Sequence, residues 1–134
     1  CNLKNKTRCL LAIDPGGTTG MAVRIAPLSG ALTFICSSPE EVFDFIKDNS
    51  DNLTHIVIEN FQAQLISSWG LHTVRIVGGT YALCYVYGIS YTLHKPQDRY
   101  SFQQEAKALL KGKRAVIHEQ DALAHLLRFE YDNA

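Results

Sequence analysis

The stretch LLAIDPGGTTGMAV, Leu10 to Val23, joins two apolar runs through a turn of Pro15, Gly16, Gly17, Thr18, Thr19 and Gly20. The first run stops at Asp14. The pattern predicts a strand, a tight reversal and a second strand from Gly20 to Ala26. A lone carboxylate at the end of a buried strand suits two chemistries. A glycine turn can wrap the phosphates of a nucleotide, or the aspartate can hold a metal ion against a nucleic-acid backbone.

The chain has 134 residues, 46% of them hydrophobic and 10% aromatic, the composition of an ordinary soluble domain. A single domain over residues 1–134 is expected. No apolar run approaches the ~20 residues that span a bilayer, and no signal peptide is read, so no membrane partner is expected. The start at Cys1, without Met, suggests a trimmed chain. Cys1, Cys9, Cys36 and Cys84 are scattered without a C-x-x-C pair, which favours buried free thiols over disulfides or a zinc site. Basic and acidic residues balance at 13 each, which counts against a nucleic-acid binder. Their distribution is uneven: Lys4, Lys6 and Arg8 crowd the start, and Lys107, Lys111, Lys113 and Arg114 crowd one later segment. Such clusters fit a binding patch or a solvated face equally.

Further along, Ala31–Cys36 reads as a third strand of an antiparallel meander. Ser38, Pro39 and Glu41 open a helix with a capping box, and Val42, Phe43 and Ile46 form its apolar face. His55–Glu59 is a fourth strand and Ile89–Leu93 a fifth. Between them, Phe61–Trp69 reads as loop or frayed helix, and Leu71–Tyr87 as a helix apolar almost all round. Gly78 and Gly79 within it permit close backbone approach. Ser101–Lys111 is a polar helix and Glu119–Tyr131 a final one. The order βββαβαβαα implies an α/β mixed sheet with helices on both faces.

Asp14 and Glu59 each end an apolar strand, where carboxylates are rare unless paired or metal-bound. If strands one and four are parallel neighbours, both acids emerge at one sheet edge, where open α/β sheets build sites. Taken alone, Asp14 also suits a turn residue and Glu59 a surface residue. The third element is IHEQDALAHLL, in which His118, Asp121 and His125 fall on one helical face opposite Leu123, Leu126 and Leu127. That stripe suits a metal or acid/base site, or the solvated side of an amphipathic helix. At the helix start the dipole favours a neutral His118.

With Asp-Pro-Gly…Thr-Gly at strand one, Val-Ile-Glu at strand four and His-x-x-Asp-Ala on the last helix, the chain resembles the RuvC-like Holliday junction resolvases of the ribonuclease H superfamily, the short phage-type forms above all. The resemblance implies a ribonuclease H-like five-stranded sheet, three antiparallel strands and then two parallel. It places the metal-binding, catalytic acids on Asp14, Glu59 and Asp121, with a further ligand at His118. His125 receives no family role. VRIVGGTYAL resembles the helix that builds the family's dimer interface, so a homodimer is expected. KPQDRYSF resembles the stretch before a DNA-facing basic helix, making Lys95, Arg99 and Lys107, with Lys111, Lys113 and Arg114, candidate DNA contacts. Phe61 stands close to the position of an aromatic that pries bases apart.

The implied function is cleavage of branched DNA, a four-way junction foremost, in a bacterial or phage-infected cytoplasm. Paired hydrolysis would give 5′-phosphate and 3′-hydroxyl ends. Oxygen-rich ligation points to Mg²⁺, two ions about 4 Å apart, with Mn²⁺ as a substitute. Asp14 would bridge both ions, Glu59 would serve one, and Asp121 with His118 the other. Two rivals remain at this level. One is a catalytically inactive module that only binds DNA or scaffolds. The other is an actin-like ATPase fragment, which size disfavours because those enzymes close two such domains over their nucleotide; no nucleotide cofactor is expected.

Overall fold

Alternate residues of the first strand point into two separate cores. In the computed structural model, which describes residues 8–25, 30–60 and 68–134, strand β1 (Cys9–Asp14) is buried along its whole length. Leu11 and Ile13 join one apolar cluster, while Leu10 and Ala12 join another on the opposite face. Period-two alternation therefore splits an all-apolar strand between two helical layers.

Strands β2 (Thr19–Ile25) and β3 (Leu32–Cys36) continue the sheet antiparallel, as the meander requires. Strands β4 (His55–Glu59) and β5 (Ser90–His94) extend it in parallel on the other side of β1. The spatial order is β3-β2-β1-β4-β5. This is the ribonuclease H-like arrangement, three antiparallel strands followed by two parallel ones, with helices on both faces.

On one face lie α1 (Pro39–Asp48) and α2 (Ser68–Tyr87). Ser38 caps α1 by accepting from the Glu41 backbone N–H at 3.2 Å, while the Glu41 carboxylate accepts from Ser37 N–H at 2.7 Å. The box therefore closes one residue further out than the sequence suggests. Helix α2 starts at Ser68, three residues before the expected Leu71. Among its described side chains it buries one line, Ile76, Thr80 and Cys84, at four-residue spacing. A Cβ on Gly79 would stand 2.3 Å from the Phe43 ring tip, so that glycine serves the α1–α2 contact; Gly78 faces open space.

On the other face, α4 (Ile117–Asp132) lies across β1 and β2, flanked by α3 (Gln103–Leu109). The expected polar helix from Ser101 to Lys111 is divided. A 3-10 segment, Pro96–Phe102, precedes α3 because the Asp98 carboxylate accepts from Lys95 N–H at 2.7 Å and Asp98 N–H donates to Lys95 O at 3.0 Å, closing a tight first turn. Strand β5 runs to His94, one residue past the expected Leu93, and α4 begins two residues before the expected Glu119.

Cys9, Cys36 and Cys84 are buried and free; burial pushes the thiols of Cys36 and Cys84 up to about 11. Cys1 and Phe61 lie outside the described residues. Among those described, no helix is long and apolar enough to cross a membrane.

Candidate active site

Sheet register assembles the acids. Parallel pairing sets Ile13 beside Ile58, so one step on Asp14 and Glu59 leave β1 and β4 side by side. The same row continues through Gly20, paired with Asp14, and His94, paired with Glu59. Parity directs Asp14 to the face of Leu10 and Ala12, the face that α4 covers. Asp14 is only 4% exposed.

Helix α4 reaches this row because Gly20 has no side chain. A Cβ there would stand 1.9 Å from the His118 carbonyl oxygen and 2.8 Å from the Glu119 nitrogen, distances no Cβ can occupy. The glycine turn thus admits the start of α4 against the sheet. Thr33 anchors the same end by donating to the Glu119 carboxylate at 2.8 Å. The polar stripe of α4 does not face water: Asp121 and His125 are both buried, between the sheet and the 3-10 segment, and His118 is half-buried.

The contacts form two linked groups. His118 Nδ1 lies 2.8 Å from Asp14 Oδ2. Glu59 Oε1 takes two partners, His125 Nε2 at 3.1 Å and the Arg99 guanidinium. Arg99 Nε faces Asp121 Oδ2 at 3.5 Å, and Gln103 donates to Asp121 Oδ1 at 3.4 Å. Behind Glu59, His125 Nδ1 meets His94 Nδ1 at 2.9 Å, a bond whose proton one of the two rings must supply.

The electrostatics follow from burial. Desolvation pushes the Asp14 carboxyl up to about 6, against the His118 hydrogen bond and with the help of the Glu59 and Asp121 charges. Burial acts in the same direction on Glu59, yet the His125 hydrogen bond and the Arg99 charge outweigh it and hold that group below its ordinary value. Burial, reinforced by His125, lowers His94 to about 4 and keeps its ring neutral near pH 7.

No family model matches the sequence, and no curated protein matches it. Solved structures do. Thermus thermophilus RuvC superposes with a TM-score of 0.70 over 93% of this chain and 95% of its own, at 13% identity. The same enzyme in complex with a Holliday junction substrate gives 0.68 over 94% of each chain, again at 13% identity. This chain has the RuvC fold. Within that fold, the acids named from the sequence share one end of the sheet with the start of α4.

Three carboxylates and an imidazole suit a hard divalent cation, and a buried Asp14 whose charge is disfavoured marks a place short of positive charge. The donor set fits the divalent ion that the sequence resemblance implies. Among the described residues, however, no three such side chains are already gathered around one point, and the guanidinium of Arg99 bridges Glu59 and Asp121 instead. Arg99, expected on the DNA-facing surface, thus stands inside the acid cluster. Lys95 and Arg114 are exposed. Lys107, Lys111 and Lys113 line an open hollow of about 510 Å³ between α3 and α4, beside Gln104 and Gln120. His94 and Gln103 were not singled out in the sequence. Ending β5 at Leu93 hid the first, although its register partner is Glu59.

Proposed function

We propose that this chain is a metal-dependent, structure-selective DNA endonuclease that resolves four-way junctions, leaving 5′-phosphate and 3′-hydroxyl ends. One observation supports the reading: Asp14 and Glu59 leave neighbouring strands at one sheet end, where His118 contacts Asp14 and Arg99 links Glu59 to Asp121, in a fold whose solved examples include RuvC with a Holliday junction substrate. Asp14, Glu59 and Asp121, with His118, would hold Mg²⁺ or Mn²⁺, two ions per site. A divalent cation supplies neutralisation of the phosphate charge and lowers the pKa of water for attack. The protein's own groups prepare that site. His118 fixes one oxygen of Asp14, while His125 fixes one oxygen of Glu59. The hollow lined by Lys107, Lys111 and Lys113 would take the phosphates of a DNA arm.

Two-fold symmetry of the junction calls for two sites, hence a homodimer. Support comes from α2, where Leu71, Val74, Gly78, Tyr81 and Tyr85 form an exposed seam at alternating spacings of three and four. The decisive experiment is cleavage of a labelled panel of junctions, forks and flaps with Mg²⁺, Mn²⁺ or EDTA. Paired incisions of the junction with either ion and none in EDTA are expected. Junction binding without cleavage under any divalent ion would instead mean an inactive module, and micromolar ATP binding would mean an ATPase.

A further inference from the structure

We propose that Arg99 is a resident cation of the acid cluster, holding Glu59 and Asp121 in the protein without divalent ion and leaving them as that ion enters. The inference rests on the nuclease reading for the identity of the site.

Its basis is the geometry of the guanidinium. One amino group binds Glu59 and also donates to the Pro96 carbonyl at 3.0 Å. The Nε edge is buried and makes no hydrogen bond, and Asp121 Oδ2 lies 3.5 Å away. Arg99 is therefore bound well at one carboxylate and loosely at the other. Two acids from different elements, the end of β4 and the second turn of α4, are bridged by a single positive charge. A divalent cation at those oxygens would repel the guanidinium and compete for the same lone pairs.

The other partners explain why the exchange would leave the acids in place. Glu59 Oε1 is also held by His125 at 3.1 Å, a side chain with no exposure, and Asp121 Oδ1 by Gln103 at 3.4 Å. Those supports are an amide and an imidazole on α3 and α4. Arg99 alone among the described partners of these two acids carries a permanent charge, and it alone stands on the 3-10 segment at the rim. Its side chain is 20% exposed and its Cζ lies 5.4 Å from the ring centroid of Tyr100, which is itself exposed. A route outward exists for this side chain and not for the fully buried His125. Ion affinity is then set by competition with Arg99, so the free protein binds divalent ions more weakly than its carboxylates alone would.

The test is calorimetric titration of DNA-free protein with Mn²⁺. Arg99→Gln should bind Mn²⁺ about tenfold more tightly than wild type, the scale of removing one opposing charge from such a cluster. Its metal-free melting temperature should fall below that of wild type, and saturating Mn²⁺ should raise it by the larger increment. Equal or weaker Mn²⁺ binding by Arg99→Gln would overturn the proposal. Should that variant not fold, the Nε–H resonance of Arg99 in ¹⁵N-labelled wild type decides the matter. Displacement predicts that it shifts and narrows as Mg²⁺ is added, and an unmoved resonance at saturating Mg²⁺ rules displacement out. Failure of both wild type and Arg99→Gln to bind Mn²⁺ would remove the metal-site reading itself, a different result from equal affinities.

Discussion

Helices α2 and α4 break the rule of burial in opposite senses. Helix α4 hides Asp121 and His125 among Ala122, Leu123, Ala124 and Leu126, while α2 leaves Tyr85 at 84% exposure and Val86 at 70%. Polar groups inside and large apolar groups outside both cost free energy unless something partners them. For α4 the partners are visible: Arg99, Gln103, Glu59 and His94 satisfy its polar side chains. For α2 no described residue covers the outer face, because α4, the helix that could have done so, lies on the other side of the sheet. One violation therefore bears on the proposed chemistry of the site, and the other on the proposed assembly of two protomers.

The sharpest way to break the α4 side is to remove its charges. Asp14→Asn, Glu59→Gln and Asp121→Asn should each lower junction cleavage by about three orders of magnitude, with junction binding retained, because binding rests on phosphate contacts made elsewhere. Asp14→Asn should in addition fold at least as stably as wild type above about pH 6, since it removes a carboxylate whose ionisation burial opposes. Single-turnover cleavage, gel-shift binding and thermal melts measure the three parts separately. Near-normal cleavage by any variant would strip that residue of its role.

On the α2 side, Tyr85→Glu should give a folded monomer that nicks junctions but rarely resolves them. The outward position of Tyr85 makes it the proper probe. Val77 and Leu83, by contrast, pack against the buried cluster, so Val77→Glu should destabilise the fold by several kcal/mol before it says anything about assembly. Sedimentation of the two variants separates these outcomes. A wild type that sediments as a monomer even on a junction would end the dimer reading.

Glycines sharpen the contrast at smaller cost. Gly20→Ala sets a methyl into the His118 backbone and should destabilise by about 1–3 kcal/mol while displacing His118 from Asp14. Gly79→Ala, against the movable Phe43 ring, should cost less than Gly20→Ala. Gly78→Ala meets nothing, so the helix itself should gain about 0.5–1 kcal/mol. Denaturant melts rank the three, and any other order would mean that the stated contacts do not control these positions.

The sheet was legible in the sequence because apolar runs, turn residues and caps are local signals, and the strand order then placed Asp14 beside Glu59. The same holds for His118 and Asp121, whose helical spacing is written in one short segment. What stayed hidden needed register or tertiary contact. Arg99 looks like any basic residue beside a proline until the 3-10 segment turns it toward Glu59. His94 lies at a strand end whose last residue no local signal marks. The split roles of Gly78 and Gly79 depend on which side of α2 meets Phe43, and uniform apolarity along that helix conceals its orientation.

The smallest effect concerns His94, which the site holds neutral. Its ring is lowered from an ordinary 6.5 to about 4 by burial and by the neighbouring His125. The folded state therefore binds fewer protons than the unfolded state between those two values, so this group's contribution to stability is present above about pH 6.5 and is lost as pH falls toward 4. Asp14 works the other way: its raised value favours the folded state as pH falls below about 6, so the total curve of the wild type mixes opposing slopes. A difference measurement separates them. His94→Asn keeps a hydrogen-bonding atom near the place of Nδ1, opposite His125, and removes the titration. Urea unfolding at a series of pH values should then show wild type losing stability relative to His94→Asn as pH drops from 6.5 to 4, with a constant offset above that window. Parallel curves across the whole range would mean that His94 titrates as it does in the unfolded chain, and that the buried histidine pair behind Glu59 is not shielded from protons.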